Sequence, residues 1–249
     1  MIIDRKTYIE KLQRSKGNGL IKIITGLRRS GKSFLLKKLF RQHLLDDGVK
    51  EDHILIIDME SRKNKAFKDP DYLLDWVESK MLDDSTYYII IDEVQEVKNF
   101  VEVLSTLSVT EGTDVYVTGS NSRFLSSDVV TEFRGRGDEI HVWPLSFKEF
   151  MSVYESSKED GWAEYLMYGG LPQLLTQDGD EKKTDFLRHL YRTVYLRDIY
   201  ERNSIELKPE FEELSKTLAS SIGAPVNASN IANTFKSVSK VQDISDKTV

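Results

Sequence analysis

Gly26-Leu27-Arg28-Arg29-Ser30-Gly31-Lys32-Ser33 spells G-x-x-x-x-G-K-[ST], a spacing that commits a chain to strand, tight turn and helix in that order. The flanks agree: Leu20-Ile21-Lys22-Ile23-Ile24-Thr25 is an apolar strand-like run, and Phe34-Leu35-Leu36-Lys37-Lys38-Leu39-Phe40 reads as a helix. Gly26 and Gly31 let backbone N–H groups turn inward toward phosphate oxygens, and a helix opening near Lys32 adds the positive end of its dipole. Lys32 is placed to reach the β- and γ-phosphates of a nucleotide, and Ser33 to put a hydroxyl on Mg²⁺. Residues 26 through 34, Phe34 included, are therefore the candidate nucleotide-binding segment. Arg28 and Arg29 are candidates for contact with phosphate or adenine, with solvent exposure as the plain alternative.

Tyr87-Tyr88-Ile89-Ile90-Ile91 is a continuous apolar, β-branched run, the pattern of a strand covered on both faces in a parallel sheet. It ends in Asp92-Glu93. Carboxylates at the C-terminal edge of such a strand lie beside the phosphate loop if the strands are close in the sheet. Asp92 is then the Walker B aspartate holding Mg²⁺, and Glu93 the general base for the water that attacks the γ-phosphate.

Further runs at His53–Asp58, Val115–Gly119 and Glu139–Val142, with helical patterns at 34–45, 70–81 and 100–108, alternate strand with helix over the first ~145 residues. That alternation predicts a mostly parallel α/β sheet in three layers. From Pro144 onward the pattern turns helical: 146–156 and 181–202, with the turn Gly169-Gly170-Leu171-Pro172 between them, read as a small lid. Short helices are expected at 210–221 and 227–235. A cap at Ser245 or Asp246 opens another helix that the chain has no room to complete, so a truncated piece of a longer protein is expected.

Composition narrows the chemistry. With no cysteine among 249 residues, disulfide frameworks and thiol catalysis are excluded. His43, His53, His141 and His189 show no ligand spacing. No apolar run reaches the ~20 residues of a bilayer-spanning helix, and the N-terminus lacks a signal-peptide core, so a cytoplasmic location is expected. A net charge of −6 argues against nucleic-acid binding over the whole surface, though not against a local basic face.

Two further clusters join the candidate site. In Thr118-Gly119-Ser120-Asn121-Ser122, the polar residues Ser120 and Asn121 follow a buried strand and are candidates for sensing the γ-phosphate; a plain turn is the alternative. In Phe133-Arg134-Gly135-Arg136-Gly137, Arg136 and less strongly Arg134 could stabilise the transferring phosphoryl group, in cis or in a neighbouring subunit.

With these pieces in place the chain resembles the prokaryotic AAA-type P-loop ATPases that carry an uncharacterised C-terminal domain. The residues carrying the resemblance are the loop at 26–33, Ile91-Asp92-Glu93-Val94-Gln95, Thr118–Ser122, Gly135-Arg136 and Pro144–Phe150. Tyr168-Gly169-Gly170-Leu171-Pro172 and Leu196-Arg197-Asp198-Ile199 extend it over roughly residues 1–205. The resemblance implies a core of strand order 5-1-4-3-2 over residues 1–145, a helical lid over 146–205 and a partial winged-helix segment over 206–249. It also implies that Glu93 is the catalytic glutamate and Arg136 the family's arginine.

The function expected is Mg²⁺-dependent ATP binding and hydrolysis that drives a conformational switch or motor on a protein or DNA client, in one copy or a homo-oligomer. A nucleotide-stabilised DNA-binding regulator without turnover is the non-enzymatic alternative. A small-molecule P-loop kinase is disfavoured, because a glutamate that activates water would waste its ATP. A GTPase lacks its Asn-Lys-x-Asp segment: Asn64-Lys65-Ala66-Phe67 has no aspartate.

Overall fold

A computed structural model describes residues 2–119, 137–196, 199–200, 208–231 and 233, and groups the chain into two units, Met1–Tyr195 and Leu196–Val249. The first unit is built on five parallel strands: β1 (Ile21–Thr25), β2 (Ile54–Asp58), β3 (Tyr87–Asp92), β4 (Thr113–Thr118) and β5 (Gly137–His141). Their order is β2-β3-β4-β1-β5, which is the expected 5-1-4-3-2 read from the other edge.

The sheet is covered on both faces, and strand alternation divides the core in two. Ile23, Ile57, Ile89, Ile91 and Val117 point to one side, where Leu73 and Val77 of α3 (Pro70–Lys80) and Leu104 and Leu107 of α4 (Phe100–Val109) cover them. Ile24, Tyr88, Ile90 and Tyr116 point to the other. There they meet Tyr8 and Leu12 of α1 (Lys6–Ser15) and Leu35, Leu36, Phe40 and Leu44 of α2 (residues 32–46). Helix α2 begins as α-helix at Lys32–Phe34, widens to a π-helix over Leu35–Phe40 and returns to α-helix over Arg41–Asp46. The local reasons are visible: α3 starts at Pro70 with Asp69 accepting from the Tyr72 N–H at 3.1 Å, an N-cap with proline in the first turn.

After β5 the first unit continues through α5 (Phe147–Met151), α6 (Lys158–Tyr168), a 3₁₀ turn at Pro172–Thr176 and α7 (Asp180–Leu190), with a π turn at Tyr191–Tyr195. The helix expected over 146–156 is shorter. Ser146 and Glu149 form a capping box, but Ser152 already ends the turn, and a second cap at Ser157 starts α6 afresh. In the second unit, α8 (Lys208–Ser220) matches the helix expected at 210–221. The expected cap at Ser245 or Asp246 lies outside the described residues.

Candidate nucleotide site

The C-terminal edge of the sheet carries the chemistry. Gly26 leaves β1 at φ +133°, and a Cβ there would collide with the Val142 carbonyl oxygen, so only glycine lets the loop turn this close to the segment leaving β5. Arg29 and Gly31 also have positive φ, 65° and 100°, and Ser30 between them is fully buried. The loop is braced from the N-terminal segment. Arg5 donates to the Ser30 carbonyl at 3.3 Å and the Trp143 carbonyl at 2.7 Å, and its Nε pairs with Glu149 at 3.0 Å.

Lys32 folds its amine onto the loop, donating to the Gly26 and Leu27 carbonyls at 3.0 Å each. Burial lowers its pKa from the ordinary lysine value, opposed by the negative field of Glu93 and Asp92. Ser33, one residue on, donates to Asp92 Oδ1 at 2.8 Å. The expected convergence of the loop on the β3 carboxylates is therefore present. Asp92 is 1% exposed and takes three donors: Ser33 and Thr118 (2.6 Å) on Oδ1, and the Lys37 ammonium (2.7 Å) on Oδ2.

Glu93 sits in the left-handed region at φ 59°, which turns the chain sharply out of β3. Its N–H donates to Thr118 Oγ1 at 2.9 Å, and its carboxylate Oε2 accepts from Gln95 Nε2 at 2.5 Å. Strand alternation alone would send residues 93 and 95 the same way; here the 3₁₀ turn Val94–Glu96 folds Gln95 back onto Glu93.

These groups line a cleft of about 630 Å³ between the loop and the 172–176 turn, with Arg28, Lys32, Ser33 and Phe34 on one side and Pro172 and Gln173 on the other. Gly170 fixes that turn, because its carbonyl accepts from Leu145 N–H at 2.7 Å and a Cβ there would strike the Leu145 carbonyl. Arg29 reaches across to Gln173 Oε1 at 2.8 Å and stacks over the Phe186 ring, and the Tyr195 hydroxyl donates to the Arg28 carbonyl at 3.2 Å. Leu27 is half exposed and makes no contribution to the cleft wall.

Sequence reasoning missed three groups here. Glu60 lines the cleft, and burial raises its pKa, with the fields of Glu93, Asp92 and Asp58 adding to the rise. Asp58 and Lys37 form an ion pair at 2.8 Å. The signal for Asp58 was available, since β2 also ends in a carboxylate at the same edge. Ser120, Asn121, Arg134 and Arg136 lie outside the described residues. Among the described residues no group of three or more His, Cys, Asp or Glu could hold a metal by itself. A site of one serine and one carboxylate suits Mg²⁺, which keeps most of its shell for water and phosphate oxygens.

The sequence model of an AAA domain matches residues 18–151, more than half of the chain. This chain belongs to that AAA family. A second match, over residues 159–249, is to a domain of unknown function. An uncharacterized protein of Haemophilus influenzae is 33% identical over 242 residues, covering 95% of this chain and 60% of the relative. An uncharacterized protein of Methanocaldococcus jannaschii is 28% identical over 231 residues, covering 87% of this chain and 50% of the relative. The chain thus spans half to three-fifths of the length of these curated relatives. Among solved structures, Aeropyrum pernix ORC1 in complex with DNA gives a TM-score of 0.47 at 12% identity, covering 98% of this chain and 80% of that one. AMPPCP-bound DnaA from Aquifex aeolicus gives 0.44 at 12% identity, covering 96% and 80%. Membership therefore rests on the family match and the five-stranded AAA core, not on these distant likenesses. Among the described residues no helix is long and apolar enough to cross a membrane.

Proposed function

We propose that the AAA core binds ATP with Mg²⁺ in the cleft beside residues 26–34 and hydrolyses it, the cycle serving as a conformational switch on a protein or DNA client. The observation that carries this reading is the meeting of the phosphate loop with the β3 carboxylates: Ser33 Oγ lies 2.8 Å from Asp92 Oδ1, and Glu93 opens into the same cleft.

The roles follow from what each group can do. Backbone N–H groups from Gly26 to Ser33 cradle the phosphates. Lys32 exchanges the Gly26 and Leu27 carbonyls for phosphate oxygens, whose negative charge favours its ammonium form against the cost of burial. Ser33 and Asp92 would hold Mg²⁺, which when bound polarises the phosphates as a Lewis acid. Glu93 takes the proton of the attacking water, with Gln95 fixing the carboxylate. Arg28, in the cleft wall, and Arg136, in cis or from a neighbouring copy, stabilise the charge on the γ-phosphoryl group. Ser120 and Asn121 report the presence of that group. Phe34, partly exposed at the cleft, offers the nucleotide an apolar contact. The division into core 1–145, lid 146–205 and partial winged helix 206–249, and a cytoplasmic location, belong to the same proposal.

Equilibrium binding of a fluorescent ATP analogue to the wild-type chain and to Lys32→Ala tests it. Binding by wild type that falls at least tenfold in the variant is expected. A wild-type chain that binds no nucleotide overturns the reading.

A further inference from the structure

β2 and β3 pair in parallel with Asp58 directly opposite Asp92, so two carboxylates stand side by side at the edge where the phosphate loop arrives. Like charges opposite one another on neighbouring strands repel, and Asp92 is too buried for water to screen it. The structure resolves this repulsion with one side chain. Lys37 Nζ lies 2.8 Å from Asp58 Oδ2 and 2.7 Å from Asp92 Oδ2, bridging the pair.

The bridge is built from the phosphate loop's own helix. Ser33 and Lys37 are four residues apart on α2, one turn along the same face, and they take opposite oxygens of one carboxylate: Ser33 on Oδ1, Lys37 on Oδ2. Lys37 lies within the π-helical stretch Leu35–Phe40, a widened turn of the kind that concentrates at functional sites. Asp58 is fixed in turn, since its Oδ1 accepts the Glu60 N–H at 3.1 Å and its carbonyl accepts from Asn64 at 2.9 Å. A cation seated between Ser33 and Asp92 would therefore find a permanent positive charge already on the far oxygen of that carboxylate.

We propose that Lys37 is a built-in counter-cation of the divalent-ion site, a positioning residue that locks Asp58 beside Asp92 and weakens Mg²⁺ binding to a set level. The inference rests on the reading that nucleotide binds here with Mg²⁺. Lys37 orients Asp92 and, by Coulomb repulsion, makes Mg²⁺ retention depend on the nucleotide's phosphates and not on the protein carboxylates alone. The site then holds the cation with the nucleotide and releases it with the product.

The test is the ratio of nucleotide affinity in Mg²⁺ to that in EDTA, measured with a fluorescent ADP on the full 249-residue chain. Removing a unit positive charge a few ångströms from the cation is expected to raise that ratio by about tenfold or more in Lys37→Gln. Lys37→Arg, which keeps the charge, leaves it within about threefold of wild type. Asp58→Asn, which removes one carboxylate and leaves the ammonium on Asp92, lowers the ratio, and it carries the test should Lys37→Gln fail to fold by circular dichroism. A purely structural Lys37 would lower stability without raising the ratio. An unchanged or smaller ratio in folded Lys37→Gln, or an increased one in Asp58→Asn, overturns the inference while leaving nucleotide binding intact. Failure of wild type to bind nucleotide in either condition overturns the underlying reading.

Discussion

Lys22 is a charged residue on β1, an interior strand between β4 and β5, and it is fully buried. Its ammonium pairs with Asp114 Oδ1 on the neighbouring strand β4 and lies 5.1 Å from the centroid of the Tyr116 ring. Asp114 Oδ2 accepts from the Tyr116 hydroxyl at 2.9 Å and the Gly17 N–H at 3.0 Å. Asp114→Asn keeps the shape and most of the hydrogen bonds but strands the ammonium without a counter-charge. Breaking a buried pair from one side costs about 3–5 kcal/mol. For a unit of this size each kcal/mol moves the melting temperature by roughly 2–4 °C, so a drop of about 6–20 °C is expected. The double variant Lys22→Met/Asp114→Asn removes both charges and should recover to within about 2 kcal/mol of wild type, because the desolvation of the ions disappears with them. The assay is thermal and urea unfolding followed by tryptophan fluorescence. All three tryptophans, Trp76, Trp143 and Trp162, lie in the unit that contains the pair. A single variant that loses less than about 1 kcal/mol, or a double variant less stable than Asp114→Asn, would refute the argument that the pair is an uncompensated liability once split.

Other consequences follow from the same geometry. Gly26→Ala must leave a φ of +133° and clear the Val142 carbonyl, so it should cost about 3 kcal/mol or more and abolish ATP-analogue binding; a variant of wild-type stability would contradict the close approach. Gln95→Ala removes the 2.5 Å hydrogen bond to the Glu93 carboxylate and should lower kcat roughly 10- to 100-fold with ATP affinity within about twofold of wild type, and an unchanged kcat would remove Gln95 from the mechanism. The Asp83 carboxyl is held down from 3.8 to about 2 by the Ser85 N–H and hydroxyl and by His53. A lowered folded-state pKa stabilises the protein above the unfolded value, and that stabilisation is lost as pH falls from about 4 to about 2. Asp83→Asn should flatten the stability–pH curve in that window, and parallel curves for the two proteins would show that the contacts do not matter.

The sheet was legible because its strands are near-continuous apolar, β-branched runs: Tyr87–Ile91 and Ile21–Thr25 are buried at every position, as strands covered on both faces are. Helix α1 was not, since only Tyr8 and Leu12 of its ten residues are buried and its Arg5 start has no side-chain cap. Helix α6 hides for the same reason, burying little beyond Gly161 and leaving Trp162, Leu166 and Met167 exposed. At the site, Lys32, Ser33, Asp92 and Glu93 could be read from fixed local spacing. Asp58 was signalled as the carboxylate that ends β2, but its place opposite Asp92, and those of Glu60 and Lys37, depend on β2 pairing in register with β3 and on the phase of α2, which are both non-local. Thr118 is the last residue of β4, and nothing local in the sequence distinguishes its hydroxyl from the polar side chains of Ser120 and Asn121 that follow. The structure puts the Thr118 hydroxyl on both Asp92 and the Glu93 N–H.

The central claim is that this AAA core turns ATP over and that Glu93 is the base. The direct measurement is phosphate release alongside ATP binding, with Mg²⁺ present, for wild type and Glu93→Gln. The account predicts ATP binding by both proteins and phosphate release by wild type alone, with loss of the general base lowering turnover by roughly 100-fold or more. Equal phosphate release by wild type and Glu93→Gln would contradict it.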